Sequence, residues 1–280
     1  MGIRLDGASL THPGGFIALQ PLTLTIQPGE RVAIIGSSGA GKTTLLRLLA
    51  TGLLASSGRV HLLNADPAHL SGGALRRLRT RIGLIHQSPP LPPRQRVITA
   101  VLAGQLGQWS LARALLSLCY PLDIPGARAA LQPLDLGEKL YARCDQLSGG
   151  QLQRVGIARV LYQGAELLLA DEPVSAMDPL LADHTLALLN RLAQAHGKTL
   201  VASLHAVDLA LRHFPRIIGL RNGVVLFDRD AAQVTPDDLR ELYSNDGLAA
   251  ALPVQPAHSS LSSSTPPSPP ASAQPARRCR

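Results

Sequence analysis

A glycine-rich segment in the first fifth of the chain has the spacing of a loop that binds phosphate groups. It reads Gly36-Ser37-Ser38-Gly39-Ala40-Gly41-Lys42-Thr43, follows the apolar run 31–35 and precedes a leucine-rich stretch with helical periodicity. Glycines let the backbone aim N–H groups at phosphate oxygens, and the start of a helix adds partial positive charge. We expect Lys42 to reach the β- and γ-phosphates of a nucleotide, Thr43 to ligate Mg²⁺ and Thr44 to line the same site.

A pair of carboxylates, Asp171 and Glu172, follows the apolar run 167–170. Carboxylates at the C-terminal end of a buried parallel strand lie at the edge of the sheet where phosphate loops also lie. We expect Asp171 to hold Mg²⁺ through water and Glu172 to polarise the attacking water, a role that contributes ~10²–10⁴ in rate. An acidic helix cap after a strand is the alternative, and it is disfavoured because a phosphate loop is present in the same chain.

A second glycine pair stands in Leu147-Ser148-Gly149-Gly150-Gln151, which opens a predicted helix. Ser148 is a good helix cap, but a simple capped start leaves unexplained two glycines that each weaken a helix by about 1 kcal/mol. Backbone donors left free at this end suit a γ-phosphate. Because this helix start lies in an inserted segment that should not reach its own phosphate loop, we expect a second copy of the chain to supply it, head to tail.

Three further polar residues are expected at the nucleotide site, two at strand ends and one in the loop 175–178. Gln87 ends the predicted strand 81–87 and is expected to sense the γ-phosphate or Mg²⁺, although alone it would be only a polar strand end. His205 follows the strand 199–203 and is expected to contact the γ-phosphate, whereas a lone histidine is usually structural. Asp178 is expected at the contact between the two copies.

The elements that must position these residues predict an α/β fold with a P-loop NTPase (RecA-like) parallel sheet core, an N-terminal antiparallel β region and an inserted α-helical subdomain. Short apolar strands alternate with helical segments, as a parallel sheet requires. The predicted core strands are 31–35, 81–87, 167–170, 199–203 and 216–220, and the predicted inserted helices are 97–106, 111–118, 127–134 and 151–162.

The domain division follows from a composition change at Pro89-Pro90-Leu91-Pro92-Pro93, which suits neither a helix interior nor a central strand. We predict one ATPase domain over 1–250, with its core at 1–87 and 163–250 and the helical subdomain at 88–162. Seven prolines and seven serines make up half of the last 28 residues, so 251–280 is predicted to be a disordered tail.

Composition narrows the class of protein further. The 280 residues carry a net charge of +8 and three widely spaced cysteines, which form neither a disulfide framework nor a metal site. No run approaches the ~18 apolar residues of a membrane span. There is no apolar leader, so we expect the protein to stay in the cytosol. The basic residues lack interleaved aromatics, and no nucleic-acid partner is expected.

Taken in order, these motifs resemble the nucleotide-binding subunits of ABC transporters over about residues 3–245. The resemblance implies ATP and Mg²⁺ as ligands and a homodimer that closes around two ATP molecules. It also implies integral-membrane permease subunits as partners, a periplasmic or lipid-anchored solute-binding protein acting indirectly, and a peripheral position at the cytoplasmic face of the inner membrane.

Four short stretches of the sequence are similar to phosphonate-importer ATPases in particular. The stretches that carry this similarity are 104–109, 145–151, 204–210 and 216–221. The sequence departs from the family at four places: His12 stands where an aromatic normally stacks on adenine, Met177 replaces a usual leucine, Gly156 replaces a usual alanine, and the proline run 89–93 is unusual. We therefore expect His12 to contact the base.

Three alternatives remain at this stage. The chain could serve an importer of another solute, such as phosphite, phosphate or an amino acid. It could be a non-transport ABC ATPase acting on DNA or ribosomes, but those typically carry long coiled coils or two cassettes. A P-loop kinase is disfavoured because kinases lack the segment 147–151.

Overall fold

The computed structural model describes residues 2–244, and the predicted tail 251–280 lies outside them. Two sheets and nine α-helices are found within that range. None of the helices among residues 2–244 combines the length and the apolar character needed to span a bilayer.

The smaller sheet has three antiparallel strands in the order β2-β1-β4. Its strands are β1 (Ile3–Thr11), β2 (Ile17–Ile26) and β4 (Ser57–Leu62). Inward-facing residues of β1, such as Leu5 and Leu10, alternate with more exposed ones, as expected for a sheet with one buried face. This confirms the predicted N-terminal antiparallel region.

The larger sheet has six strands in the order β5-β6-β7-β3-β8-β9. They are β3 (Arg31–Ile35), β5 (Ile82–Ile85), β6 (Leu167–Asp171), β7 (Thr199–Ser203), β8 (Arg216–Arg221) and β9 (Val224–Asp230). All neighbours pair in parallel except β8 and β9. The predicted strand 81–87 is shorter in the structure, so Gln87 lies two residues beyond its end.

Alternation along the central strands divides the core into two layers. On β3, Val32 and Ile34 belong to the layer shared with the smaller sheet and the first helix, whereas Ala33 and Ile35 face the opposite layer. Side chains of successive strand residues point to opposite faces, so the sheet is buried on both sides. This arrangement confirms the predicted α/β class.

Five helices flank the larger sheet outside the β5–β6 connection. They are α1 (Lys42–Leu49), α2 (Gly72–Thr80), α7 (Pro179–Ala195), α8 (Val207–His213) and α9 (Pro236–Tyr243). In α1 the side chains predicted to face the core, Leu45, Leu46, Leu48 and Leu49, are all buried.

Four helices fill the connection between β5 and β6, where the sequence predicts a helical insertion. They are α3 (Val97–Leu102), α4 (Leu111–Cys119), α5 (Ile124–Leu131) and α6 (Gly149–Gln163). The predicted helix 127–134 begins earlier because the Asp123 carboxylate caps it by accepting from the Gly126 N–H. The predicted helix 97–106 becomes a 3₁₀ turn after Leu102.

Candidate functional site

The phosphate-loop segment connects β3 to α1 and curves tightly through glycines. Gly39 has φ +79° and Gly41 has φ +104°, conformations that side chains with a Cβ rarely adopt. A Cβ at Gly41 would also lie 2.8 Å from the carbonyl oxygen of Ala18. Lys42 is 5% exposed, and its ammonium donates to the carbonyl oxygens of Gly36 at 2.6 Å and Ser37 at 2.9 Å. The backbone of the phosphate loop therefore holds the ammonium of Lys42 on the inner side of its curve.

Asp171 ends β6 beside the start of α1. Its Oδ1 accepts hydrogen bonds from the hydroxyl of Thr43 at 3.0 Å and from the hydroxyl of Ser203 at 2.9 Å. The Ser203 oxygen also accepts from the backbone N–H of Glu172 at 3.0 Å. Ser203 is fully buried at the end of β7 and links both carboxylate residues. Sequence reasoning missed it, although a hydroxyl at the end of an apolar strand was visible.

Glu172 is held by two partners that the sequence predicted for the same site. The Nε2 of Gln87 donates to its Oε2 at 2.6 Å, and the Nε2 of His205 lies 2.5 Å from its Oε1. Glu172 has φ +47°, a left-handed conformation that is rare for residues other than glycine. Such strained residues cluster at functional sites. The structure thus brings three predicted residues together around one carboxylate.

A cavity of about 380 Å³ opens between the phosphate loop and this carboxylate. Among residues 2–244, its lining comprises Phe16, Ala18, Ser38, Gly39, Ala40, Gly41, Lys42, Thr43, Thr44, Gln87, Glu172 and His205. The expected contact of His12 with the base stays a prediction, although Phe16 lines the cavity and His12 is not among its lining residues. The His12 ring packs parallel to that of Phe16, with centroids 6.3 Å apart and planes 6° apart. Three residues, 13–15, separate the two rings in the chain, and Phe16 is a second candidate for the base contact.

The glycine pair 149–150 begins α6, but the helix start is more fully capped than expected. The Gln151 N–H donates to the Ser148 hydroxyl at 3.3 Å, and the Ser148 N–H donates to the Gln151 side-chain oxygen at 3.0 Å. Two donors expected to be free are therefore paired in a capping box. A Cβ at Gly150 would lie 3.3 Å from the Ala176 carbonyl oxygen, so the glycine lets α6 approach the loop 175–178.

Asp178 has a local role in the structure. Its Oδ1 accepts from the Leu181 N–H at 3.0 Å, which caps α7. Its predicted place at a contact between two copies stays a prediction.

The residue before Gln87 is kept largely uncharged. Desolvation by the surrounding protein lowers the pKa of His86, and the charges of Arg159 and Arg47 act in the same direction against the opposing effect of Asp171. At neutral pH the imidazole is therefore neutral, because its ordinary pKa is already about 6.5.

The donor atoms beside the phosphate loop fit Mg²⁺. This ion takes oxygen ligands and is typically held by one or two protein groups together with substrate phosphates. The Thr43 hydroxyl and the Asp171 carboxylate are 3.0 Å apart at the phosphate-loop side of the sheet. Both are oxygen donors, and both are fixed in place by hydrogen bonding.

Comparison with known proteins gives consistent matches. The family model of the ABC transporter matches residues 19–175. The chain is 65% identical over 250 residues to the phosphonates import ATP-binding protein PhnC 1 of Pseudomonas aeruginosa, covering 89% of this chain and 94% of that protein. It is 62% identical over 253 residues to the phosphonates import ATP-binding protein PhnC of Pseudomonas fluorescens, covering 90% and 96%.

Solved structures give the same architecture. The dimeric post-hydrolysis state of the ATP-binding cassette MJ0796, bound to ADP and Pi, is 29% identical with a TM-score of 0.70, covering 82% of this chain and 98% of that one. A nucleotide-free ATP-binding cassette from an ABC transporter is 24% identical with a TM-score of 0.71, covering 86% and 94%, and shares the fold.

Proposed function

This chain belongs to the ABC transporter family, and on that premise we propose that it is the ATP-hydrolysing subunit of a phosphonate importer. The observation that carries the ATPase proposal is the Glu172 carboxylate, held between Gln87 and His205 on the cavity beside the phosphate loop. A carboxylate fixed near the phosphates of a nucleotide is suited to orient the attacking water. The phosphonate part rests on the identity to the named importer subunits.

In this proposal the phosphate loop and α1 bind the phosphates of ATP. The backbone N–H groups of residues 36–43 and the ammonium of Lys42 stabilise the charge on the β- and γ-phosphates. These groups are fixed before the nucleotide arrives, so they need little reorganisation when it binds. Thr43 and Asp171 hold Mg²⁺ beside the loop, with Gln87 next to them. When bound, this ion neutralises charge that develops on the phosphate oxygens.

Glu172 accepts a proton from water, and its two partners decide where it points. Gln87 donates to one oxygen and His205 lies on the other, so the carboxylate has little freedom to rotate. His205 also reaches the cavity, where it can contact the γ-phosphate. Positioning of this kind lowers the entropic part of the barrier.

A second copy supplies the remaining contacts to the same ATP. The 148–151 segment lies outside the lining of its own phosphate-loop cavity in the described chain, which supports its use across a dimer. Gly149 and Gly150 leave the backbone of this segment without side chains, and Asp178 lies nearby as the cap of α7. The 29% identical cassette bound to ADP and Pi is itself dimeric.

We propose that the core 1–87 and 163–250 binds the nucleotide while the segment 88–162 transmits closure to the permease. The permease subunits lie in the inner membrane, and the chain sits against their cytoplasmic side. A periplasmic or lipid-anchored solute-binding protein delivers solute from the far side. Those partners are inferred from membership in an import system, as the named relatives are importer subunits.

The test is growth of cells that carry a chromosomal Lys42→Ala allele on 2-aminoethylphosphonate as sole phosphorus source. We expect growth on phosphonate to be lost while growth on phosphate is unchanged. Arg76→Ala, at an exposed basic residue outside 88–162, is the control and should grow on both. Normal growth of Lys42→Ala on phosphonate would reject the solute class and point to an importer of another solute.

The ATPase part is tested separately with purified protein. The wild-type full chain should hydrolyse ATP in the presence of Mg²⁺, and Lys42→Ala should bind and hydrolyse far less. A wild-type chain that hydrolyses no ATP, alone or with its permease, would contradict the catalytic assignment whatever the solute.

A further inference from the structure

Helix α6 contains a glycine at its centre that the helix itself does not need. Gly156 is buried, and glycine lowers helix stability relative to alanine. A Cβ at this position would lie 2.8 Å from the Cβ of Pro89 and 3.3 Å from its Cγ. Real Cβ atoms do not approach that closely, and a proline ring cannot rotate away. The proline ring therefore occupies the space that an alanine side chain would fill.

One turn earlier on the same helix, Gln153 holds the chain just before this proline. Its side chain is 1% exposed, and its Nε2 donates to the His86 carbonyl oxygen at 2.9 Å. Residues three apart lie on one face of a helix. The same face of α6 thus contacts the chain on both sides of Gln87, through His86 and through Pro89.

Gln87 in turn touches the catalytic carboxylate. Its Nε2 lies 2.6 Å from Oε2 of Glu172. The other end of this chain of contacts is the start of α6, where Ser148 and Gln151 form the capping box. Direct contacts therefore connect Glu172, through Gln87 and its neighbours, to the helix that begins with the paired glycines.

We propose that Gln153 and Gly156 are positioning residues that fasten the 86–89 segment to α6. Gln87 and the glycine pair at the start of α6 then move as one body when the nucleotide site closes. The fit of Pro89 against the bare backbone of Gly156 fixes how far Gln87 reaches toward Glu172. This inference rests on the proposed ATPase function for its catalytic consequence but not for the contact itself.

The experiment compares Gly156→Ala, Pro89→Gly and the double variant in the purified full chain. Gly156→Ala pushes the proline away, so we expect kcat for ATP hydrolysis to fall roughly tenfold, while KM for ATP changes less than about twofold because the phosphate loop is untouched. Pro89→Gly in the same chain removes both clashing ring atoms and should restore most of kcat. Gly73→Ala is the control, since a Cβ there meets only Arg77 at 3.9 Å.

Hydrogen exchange supplies a readout that does not depend on hydrolysis. The Leu91 N–H donates to the Pro89 carbonyl oxygen at 2.8 Å, so its exchange reports on the segment. We expect faster exchange over 86–91 in Gly156→Ala and a return toward wild-type exchange in the double variant. If Gly156→Ala fails to fold, Gln153→Met is the second variant to measure. It keeps the side-chain volume but cannot donate to the His86 carbonyl oxygen, so we expect faster exchange and a lower kcat.

The outcomes distinguish a failure of the positioning inference from a failure of the proposed ATPase function. Unchanged exchange and kcat in Gly156→Ala would overturn the inference. So would a loss of kcat that Pro89→Gly does not relieve, and so would faster exchange with unchanged kcat, because the contact would then be packing only. A wild-type chain without ATP hydrolysis contradicts the proposed function, and the exchange data alone then decide whether α6 holds the segment.

Discussion

Gln87 donates a hydrogen bond of 2.6 Å to Glu172, although 85 positions separate the two residues in the chain. They follow β5 and β6, which are adjacent parallel strands, so their ends meet at one edge of the sheet. His205 lies on the second carboxylate oxygen, after β7. Three neighbouring strands therefore bring the Glu172 carboxylate and its two partners together, and both carboxylate oxygens are engaged.

The first prediction concerns the Glu172 carboxylate itself. Glu172→Gln keeps the size of the side chain but cannot take a proton from water, so we expect hydrolysis to fall by ~10²–10⁴. ATP binding should persist, because the phosphate loop is unchanged. Steady-state hydrolysis and gel filtration with ATP and Mg²⁺ measure both effects, and the variant should elute as a dimer. A Glu172→Gln chain that stays monomeric at saturating ATP would contradict the two-copy site.

The second prediction concerns the buried hydroxyl of Ser203. Ser203→Ala removes one hydrogen bond to the Asp171 carboxylate and one of two acceptors of the Glu172 N–H, which keeps its bond to the Ser203 carbonyl oxygen at 3.2 Å. We expect kcat to fall roughly tenfold, because the Asp171 carboxylate loses an orienting contact and the Glu172 backbone loses one acceptor. Ser117→Ala is the control, since its buried hydroxyl bonds only within α4, to the Ala114 carbonyl oxygen. Equal rates in the two variants would show that Ser203 is not needed to orient the site.

The third prediction separates two candidate contacts to the base. Phe16 is 67% exposed and lines the cavity, whereas His12 packs on it from outside. Stacking of a base on an aromatic ring contributes about 1–3 kcal/mol. We therefore expect Phe16→Ala to weaken ATP binding about fivefold or more and His12→Ala to weaken it less. Fluorescent-nucleotide titration measures both, with Tyr120→Ala as an exposed aromatic control. A larger loss in His12→Ala would identify the histidine as the base contact.

The fourth prediction concerns stability against pH. Arg81 donates two hydrogen bonds to Glu166, at 2.6 and 2.8 Å, and these bonds lower the pKa of the Glu166 carboxyl. A carboxyl whose pKa is lower in the folded state stabilises the fold above its unfolded pKa, and the contribution is lost as pH falls through the folded value. Both side chains are about half exposed, so the pair contributes roughly 0.5 kcal/mol at pH 7.

Urea unfolding of Arg81→Gln and wild type measures this difference. We expect the gap in unfolding free energy to be present at pH 7 and to close as the pH falls below about 4. Arg76→Gln, at an exposed arginine of α2, should show no such pH-dependent gap. A gap that persists undiminished at low pH would mean that Arg81 acts through packing rather than through the carboxylate.

The sequence alone determined the phosphate loop, the core strands and the class of the fold. Those features are local: glycine spacing decides where a backbone can curl, and short apolar runs separated by helical segments predict a parallel sheet. The loop 36–43 and the strand 31–35 lie where the sequence predicted them. The sequence also placed Gln87, Glu172 and His205 at strand ends, but the order β5-β6-β7 that makes those ends neighbours came from the structure.

Only the tertiary structure decided which side chains complete the site. Ser203 bridges Asp171 and Glu172 across strands, Phe16 rather than His12 reaches the cavity, and Gly156 makes room for Pro89. Each of these depends on a distance between residues that no local pattern encodes, since 67 positions separate Pro89 from Gly156. Close contacts of that kind are determined when the sheet and the inserted helices pack, because packing fixes positions to a few tenths of an ångström and a sequence pattern does not.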